Sequence, residues 1–314
     1  MKVVIIGPGA LGCLLASSLS LKNKTENPLD IWILDHRPDR VRQLAQNGLI
    51  LEEDGRQFHC RINATEDSRE IGQADIIFLC VKSIDVADGL AAAQNITADN
   101  TLLITLQNGI GHLEILLTHR EPPFIVLGVT AQGANLVGPG HVRHAGNGIT
   151  RLGILNGSPN RQAGILKEVA GLMNNAGIET SITENIMDFV WAKLLVNVGI
   201  NALTAIHNCP NGELLESTAI KEQLSDAVRE AALVARARGI QIAADPVVVT
   251  MEVCKQTGLN ISSMLQDVRS RRPTEIDSIN GAIVTAARQL HIPVPVNEEL
   301  VRKVKAIEKN YPVE

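Results

Sequence analysis

The chain has 314 residues, 45% hydrophobic and 20% charged, an ordinary globular composition and enough length for two domains with cores of their own. Its formal net charge of −5 comes with no basic stripe, and two Trp, one Tyr and four Phe are too few for base-stacking platforms, which argues against a nucleic-acid partner and for a small-molecule ligand. The five cysteines, Cys13, Cys60, Cys80, Cys209 and Cys254, are scattered and never in CxxC spacing, which argues for reduced thiols in a cytoplasmic protein and against a metal site or a disulfide framework.

The chain opens with an apolar run, Val3-Val4-Ile5-Ile6, that stops at Gly7-Pro8-Gly9-Ala10-Leu11-Gly12 and passes directly into an apolar helical pattern. A GxGxxG between strand and helix is a dinucleotide-binding signature. One glycine turns the chain, one lets the backbone approach a pyrophosphate, and one lets the helix pack on the strand, while the helix N-terminus offers free N–H groups to the phosphates. Pro8 suits a tight turn with its fixed φ and needs no ladder bond there. The glycines interrupt the apolar stretch too early for a secretory signal, and no later run reaches the roughly 18 uninterrupted apolar residues of a spanning helix, so no membrane partner is expected.

A second strand, Ile31-Trp32-Ile33-Leu34, ends at Asp35; a third, residues 74–81, ends at Lys82; a fourth, residues 101–106, ends in Gln107-Asn108-Gly109. Short apolar runs separated by helical patterns predict an α/β Rossmann fold, a doubly wound parallel sheet whose ligands sit outside the carboxyl ends of the strands. Lys82 and Asn108 then point at the cofactor site, or are a solvated strand end and a turn. Asp35 stands where an acid holds the adenosine ribose 2′-hydroxyl and favours NAD, yet His36, Arg37 and Arg40 follow and can hold a 2′-phosphate. The polar connection at residues 22–28 reads as a surface loop.

After Gly153-Ile154-Leu155 and a helix near residues 160–176, alternation gives way to helical periodicity almost to the C-terminus, so the domains are expected at 1–183 (Rossmann) and 184–314 (all-helical). The apolar helix over residues 189–201 is interrupted by Lys193, Asn197 and Asn201, which at spacing i, i+4, i+8 form one polar stripe. Such residues are often merely solvated. On a helix this apolar, the stripe is better read as lining a cleft, where an ammonium and two amides would polarise and orient an oxygen-rich substrate. Further on, Asn260-Ile261-Ser262-Ser263 and Pro273-Thr274-Glu275 form a dense polar region. There Thr274 looks like a helix entry with Glu275 in the first turn, a position the helix dipole favours without any catalytic role, and the serines can serve as caps.

Together these residues resemble the ketopantoate reductases (2-dehydropantoate 2-reductases) along the whole chain. The matching motifs are GPGALG at residues 7–12, Lys82, Gln107-Asn108-Gly109, the run from Trp191 to Ala205, Asn208-Cys209-Pro210-Asn211-Gly212-Glu213-Leu214, residues 260–267, and Thr274-Glu275-Ile276-Asp277. The resemblance implies reduction of the 2-keto group of ketopantoate to (R)-pantoate, in pantothenate biosynthesis, in a cleft between a Rossmann and a helical domain. By position it makes Lys193 the catalytic lysine, with Glu275 holding it or the new hydroxyl. It makes Asn108, Asn197, Asn201, Asn211, Asn260 and Ser263 substrate contacts. Its cofactor contacts are Gly7, Pro8, Gly9, Ala10, Leu11, Gly12, Asp35, Arg37, Lys82, Asn108 and Ala134. It favours NADP(H), while Asp35 leaves NAD(H) open, and it suggests a homodimer. The alternatives are a reductase of another short 2-keto acid and, further off, a non-catalytic dinucleotide sensor.

Overall fold

The computed structural model describes residues 1–22, 29–121, 124–155 and 160–311; the connection at residues 23–28, part of the polar loop expected from the sequence, lies outside the described residues. In chain order the first elements are β1 (Lys2–Ile6), α1 (Ala10–Lys22), β2 (Asp30–Leu34), α2 (Pro38–Asn47), β3 (Leu49–Glu53), β4 (Arg56–Cys60), β5 (Asn63–Thr65), β6 (Ala74–Leu79), α3 (Val86–Ala93) and β7 (Thr97–Thr105). Then follow α4 (Leu113–His119), β8 (Ile125–Thr130), β9 (Gly133–Gly138), β10 (His141–Gly146), β11 (Thr150–Ile154), α5 (Asn160–Asn175) and β12 (Thr180–Ile182). The helices α6 (Ile186–His207), α7 (Thr218–Ala237), α8 (Pro246–Gln256), α9 (Ser263–Arg269), α10 (Asn280–Gln289) and α11 (Pro295–Glu308) complete the chain. They form two compact units, Met1–Gln107 with Glu114–Ile186, and Asn108–Leu113 with Met187–Glu314.

The first unit holds a sheet in the order β12-β11-β8-β7-β6-β1-β2-β5. β1 pairs in parallel with β2 on one side and β6 on the other, so the chain reverses direction of travel across the sheet beside β1. That is the switch point at which a doubly wound sheet binds ligands. The sheet is parallel from β5 to β8, but β11 is antiparallel to β8, a departure from the all-parallel expectation. A parallel neighbour would need a crossover connection; here the chain instead leaves β8 for the β9–β10 hairpin and returns in the opposite sense.

That hairpin belongs to a second sheet, β4-β3-β10-β9, which the sequence reading does not foresee. It packs on α1, whose residues from Gly12 to Leu19 are all buried. A helix covered on both sides is apolar all round, which is why α1 carries no amphipathic signal.

In the second unit α6 is the core helix. Trp191, Leu194, Leu195, Val198, Ala202 and Leu203 are buried among residues of α7 and α10 such as Val228, Ala231 and Ile283. Among the described residues α6 alone has the length and apolar composition of a membrane-crossing helix, and this packing accounts for that composition. A buried polar network ties the bundle together: Asn280 Nδ2 donates to the Val198 carbonyl and to Asn297 Oδ1, and Asn297 Nδ2 donates to the Ala227 carbonyl and to Glu230 Oε2. Glu230 also accepts the Val296 and Asn297 N–H groups at the start of α11.

Candidate active site

In the first unit the GxGxxG loop follows β1. Gly7 has φ +92°, and a Cβ there would lie 2.7 Å from a Val81 methyl. Around Gly9 nothing lies within 4 Å of an added Cβ, whereas at Gly12 that atom would run into the Gly7 carbonyl oxygen and approach Cys80 Cβ at 3.3 Å. The three glycines therefore do three jobs: a left-handed turn, an open backbone, and close packing of helix on strand. Pro8 lies between Gly7 and Gly9, and α1 begins at Ala10, so the N–H groups of the first helical turn, at Ala10, Leu11 and Gly12, are the ones an intrahelical ladder leaves without partners. The open backbone at Gly9 beside these N–H groups has the form of an anion cradle at a helix N-terminus, and would be where a dinucleotide's pyrophosphate is held.

At the end of β2, Asp35 is buried and its carboxylate is gripped by the Arg40 guanidinium through Nε and Nη2. His36 stands 3.6 Å away, and Arg37 is exposed immediately before α2. The carboxylate is thus compensated from within the protein, which the simple acid-for-NAD rule does not foresee. Lys82, half-buried, precedes a short 3-10 turn after β6. The Gln107 side chain, to which the sequence reading gives no role, donates to the carbonyls of Leu79 (2.7 Å) and Val81 (3.0 Å) and so ties the end of β7 to the end of β6. Ala134 lies on β9 of the small sheet, opposite His144.

In the second unit Lys193, Asn197 and Asn201 occupy successive turns of α6, the first two half-buried and Asn201 buried. Burial pushes the Lys193 ammonium down to a pKa of about 8, and the Glu275 carboxylate partly opposes that fall. Asn108 Nδ2 donates to Glu275 Oε2 at 3.2 Å, which gathers ammonium, carboxylate and amide from three distant stretches of sequence. The docking is specific. Gly109 has φ +81° and a Cβ there would collide with the Ser278 carbonyl oxygen, which also accepts Ile110 N–H at 3.0 Å.

Glu275 does not lie in the first turn of a helix. Residues 274–279 form an irregular turn and α10 starts only at Asn280. The Thr274 hydroxyl does accept a nearby N–H, that of Ile276 at 3.3 Å, but it closes this turn rather than starting a helix.

The remaining polar positions are set by local bonds. Ser262 caps α9 by accepting Leu265 N–H, and its hydroxyl meets Thr204 Oγ1 of α6 at 2.6 Å. Ser263 and Asn260 on either side are exposed. Asn211 N–H donates to the Asn260 carbonyl at 3.0 Å, and Asn211 Nδ2 donates to Thr257 Oγ1 at 2.8 Å, while the buried Asn211 Oδ1 accepts no hydrogen bond from the described residues. Among the described residues no group of three or more His, Cys, Asp or Glu could hold a metal.

Two family models match the chain, described as "Ketopantoate reductase PanE/ApbA" over residues 3–157 and "Ketopantoate reductase PanE/ApbA C terminal" over residues 185–308. The chain belongs to the ketopantoate reductase family. Among its relatives, the 2-dehydropantoate 2-reductase of Halobacterium salinarum is 34% identical over 311 residues, 99% of this chain and 100% of the relative. A PanE/ApbA family ketopantoate reductase from Ralstonia eutropha JMP134 has a solved structure similar to this one at TM-score 0.89 and 30% identity, covering 99% of each chain. D-mandelate dehydrogenase, solved as a ternary structure with NADH and anilino(oxo)acetate, is similar at TM-score 0.90 and 27% identity over 100% of each chain. As a member of an enzymatic, dinucleotide-dependent family, this chain is an oxidoreductase.

Proposed function

We propose that this protein transfers a hydride from NADPH to C2 of ketopantoate, giving (R)-pantoate, with Lys193 and Glu275 as the catalytic pair. The observation that carries the reading is the gathering of Lys193, Glu275 and Asn108 around one point of the helical unit.

A bound reduced nicotinamide supplies the hydride. As the keto oxygen gains negative charge, the Lys193 ammonium stabilises it more in the transition state than in the ground state and then donates the proton. Desolvation makes this lysine a stronger acid than an ordinary one, and Glu275 keeps it charged at neutral pH. Asn108 holds Glu275 in place. Asn197, Asn201, Asn260 and Ser263 supply amides and a hydroxyl for the carboxylate and hydroxyl of the keto acid, and Asn211 Oδ1 can accept a substrate hydroxyl.

The preference for NADPH rests on the ribose corner of the first unit. With Asp35 already paired to Arg40, a 2′-phosphate there meets Arg37 and His36 without facing an uncompensated carboxylate. The same reading takes the protein as cytoplasmic and, on family grounds, as a homodimer.

A second reading, reduction of another 2-keto acid, is favoured by the likeness to D-mandelate dehydrogenase. Steady-state oxidation of NADPH and of NADH with ketopantoate and a panel of 2-keto acids, some smaller and some aromatic, separates the two. A clear kcat/KM advantage for ketopantoate with NADPH supports the proposal; an advantage for another acid replaces it.

A further inference from the structure

We infer that Glu308, at the end of α11, is a positioning residue for Glu275. Glu275 lies in an irregular turn, so nothing in a regular ladder fixes its direction. The turn is closed internally by Ser278 and Ile279 N–H groups, which both donate to the Glu275 carbonyl at 3.1 Å. Besides the Asn108 bond to the Glu275 carboxylate and the bond from Ile110 N–H to the Ser278 carbonyl, the turn has a long-range attachment to α11. Thr274 donates both its N–H (2.8 Å) and its hydroxyl (2.6 Å) to the same oxygen, Glu308 Oε1, which is 34 residues away in sequence.

Lys305, one turn earlier on α11, pairs with Glu308 Oε2 at 3.3 Å and with the Asp277 carboxylate. The end of α11 therefore grips the chain on both sides of Glu275, at Thr274 and at Asp277. Thr274 is buried and the Glu308 side chain is only 15% exposed, so these charge-assisted bonds are shielded from water and stronger for it. Burial works to raise the Glu308 carboxyl, but the Thr274 donors and Lys305 prevail and hold it below the usual carboxylate range. A further titratable neighbour among the described residues is Tyr311, whose hydroxyl is raised by burial and then by the charges of Glu308 and Asp267.

The consequence reaches Lys193. Glu275 opposes the desolvation of that ammonium, so a Glu275 released from its turn leaves Lys193 less basic as well as less well aimed. The inference rests on the proposed role of Lys193 and Glu275 in ketone reduction, and its test has one arm that needs no turnover.

The variants are Glu308→Gln, which loses the charge; Thr274→Val, which loses the hydroxyl at nearly constant volume; Thr274→Ser, which restores it; and Glu299→Gln on the exposed side of α11 as a control. Glu308→Gln and Thr274→Val are expected to lower kcat roughly 10- to 100-fold, in proportion to a misplacement of up to about 1 Å. KM for the dinucleotide should stay unchanged, and the alkaline limb of kcat/KM should move to lower pH. Thr274→Ser and Glu299→Gln should behave like the parent. In the second arm, lysines are reductively methylated with 13C-formaldehyde and the Lys193 resonance, assigned by its loss in Lys193→Arg, is titrated. Its midpoint should fall in Glu308→Gln and in Thr274→Val.

An unchanged midpoint and an unchanged kcat in a folded variant would overturn the inference, as would equal losses in Glu299→Gln. If Glu308→Gln does not fold, Thr274→Val decides the matter. If the parent protein does not reduce ketopantoate, the proposed function fails while the Lys193 titration still decides the role of Glu308.

Discussion

The alkaline limb of the pH profile is the sharpest consequence of a desolvated Lys193. With a pKa of about 8, the side chain is about nine-tenths ammonium at pH 7 and about one-tenth at pH 9. If the ammonium stabilises the developing alkoxide and gives up the proton, kcat/KM should be level at neutral pH and fall about tenfold per pH unit above 8, roughly a hundredfold between pH 7 and pH 10. An ordinary lysine would hold its charge past pH 10 and give no such fall. The anionic keto acid, once bound, favours the charged form, so the limb in kcat should lie at higher pH than the limb in kcat/KM. Unfolding through this group cannot mimic the effect. Its folded pKa lies below its unfolded value, so its contribution to stability rises with pH between about 8 and the ordinary lysine range. The assay is steady-state oxidation of the dinucleotide across pH 6 to 10, with circular dichroism at each pH. A guanidinium keeps its charge throughout, so in Lys193→Arg the rate should be lower but the limb absent. A flat profile to pH 10, or a limb that persists unchanged in Lys193→Arg, would refute the assignment.

Arg37→Ala should raise KM for NADPH roughly tenfold, the cost of one charge-assisted contact, and leave KM for NADH nearly unchanged; equal effects on both cofactors would count against the ribose-site reading. Gly109→Ala places a side chain at φ +81° against the Ser278 carbonyl oxygen. It should cost at least about 2 kcal/mol in urea unfolding and lower kcat together with stability. Asn297→Ala takes one of the two acceptors of the buried Asn280 amide and removes the bonds to the Ala227 carbonyl and Glu230; it should cost about 3 kcal/mol, seen as a lower Tm with KM values preserved once folded.

The chain's opening is readable because its chemistry is local: a strand, three glycines and a helix are adjacent in sequence, and each glycine has a distinct steric duty. The stripe of Lys193, Asn197 and Asn201 is readable for the same reason, since helical spacing alone puts the three on one face. The pairing of Asn108 with Glu275 spans 167 residues and has no spacing signal, so only resemblance could suggest that they belong together. The helix entry expected at Thr274 fails on physical grounds. A hydroxyl that accepts a nearby N–H looks the same in sequence whether it starts a helix or closes a turn, and here Glu308, from the last helix, takes the Thr274 donors. The pairing of Asp35 with Arg40 shows a further limit. The sequence presents an acid and a base as rivals for the ribose site, whereas the fold turns them toward each other. The small sheet on α1 is hidden because β4 is mostly exposed and polar, with no apolar run to announce it.

The measurement that bears most directly on the account is NADPH oxidation with ketopantoate by the purified protein and by Lys193→Ala, with pantoate identified as product. Efficient turnover by the parent protein, with most of it lost in a Lys193→Ala variant that melts at the parent temperature, is the expected result. Undiminished turnover in that folded variant, or none in the parent protein despite cofactor binding, would contradict it.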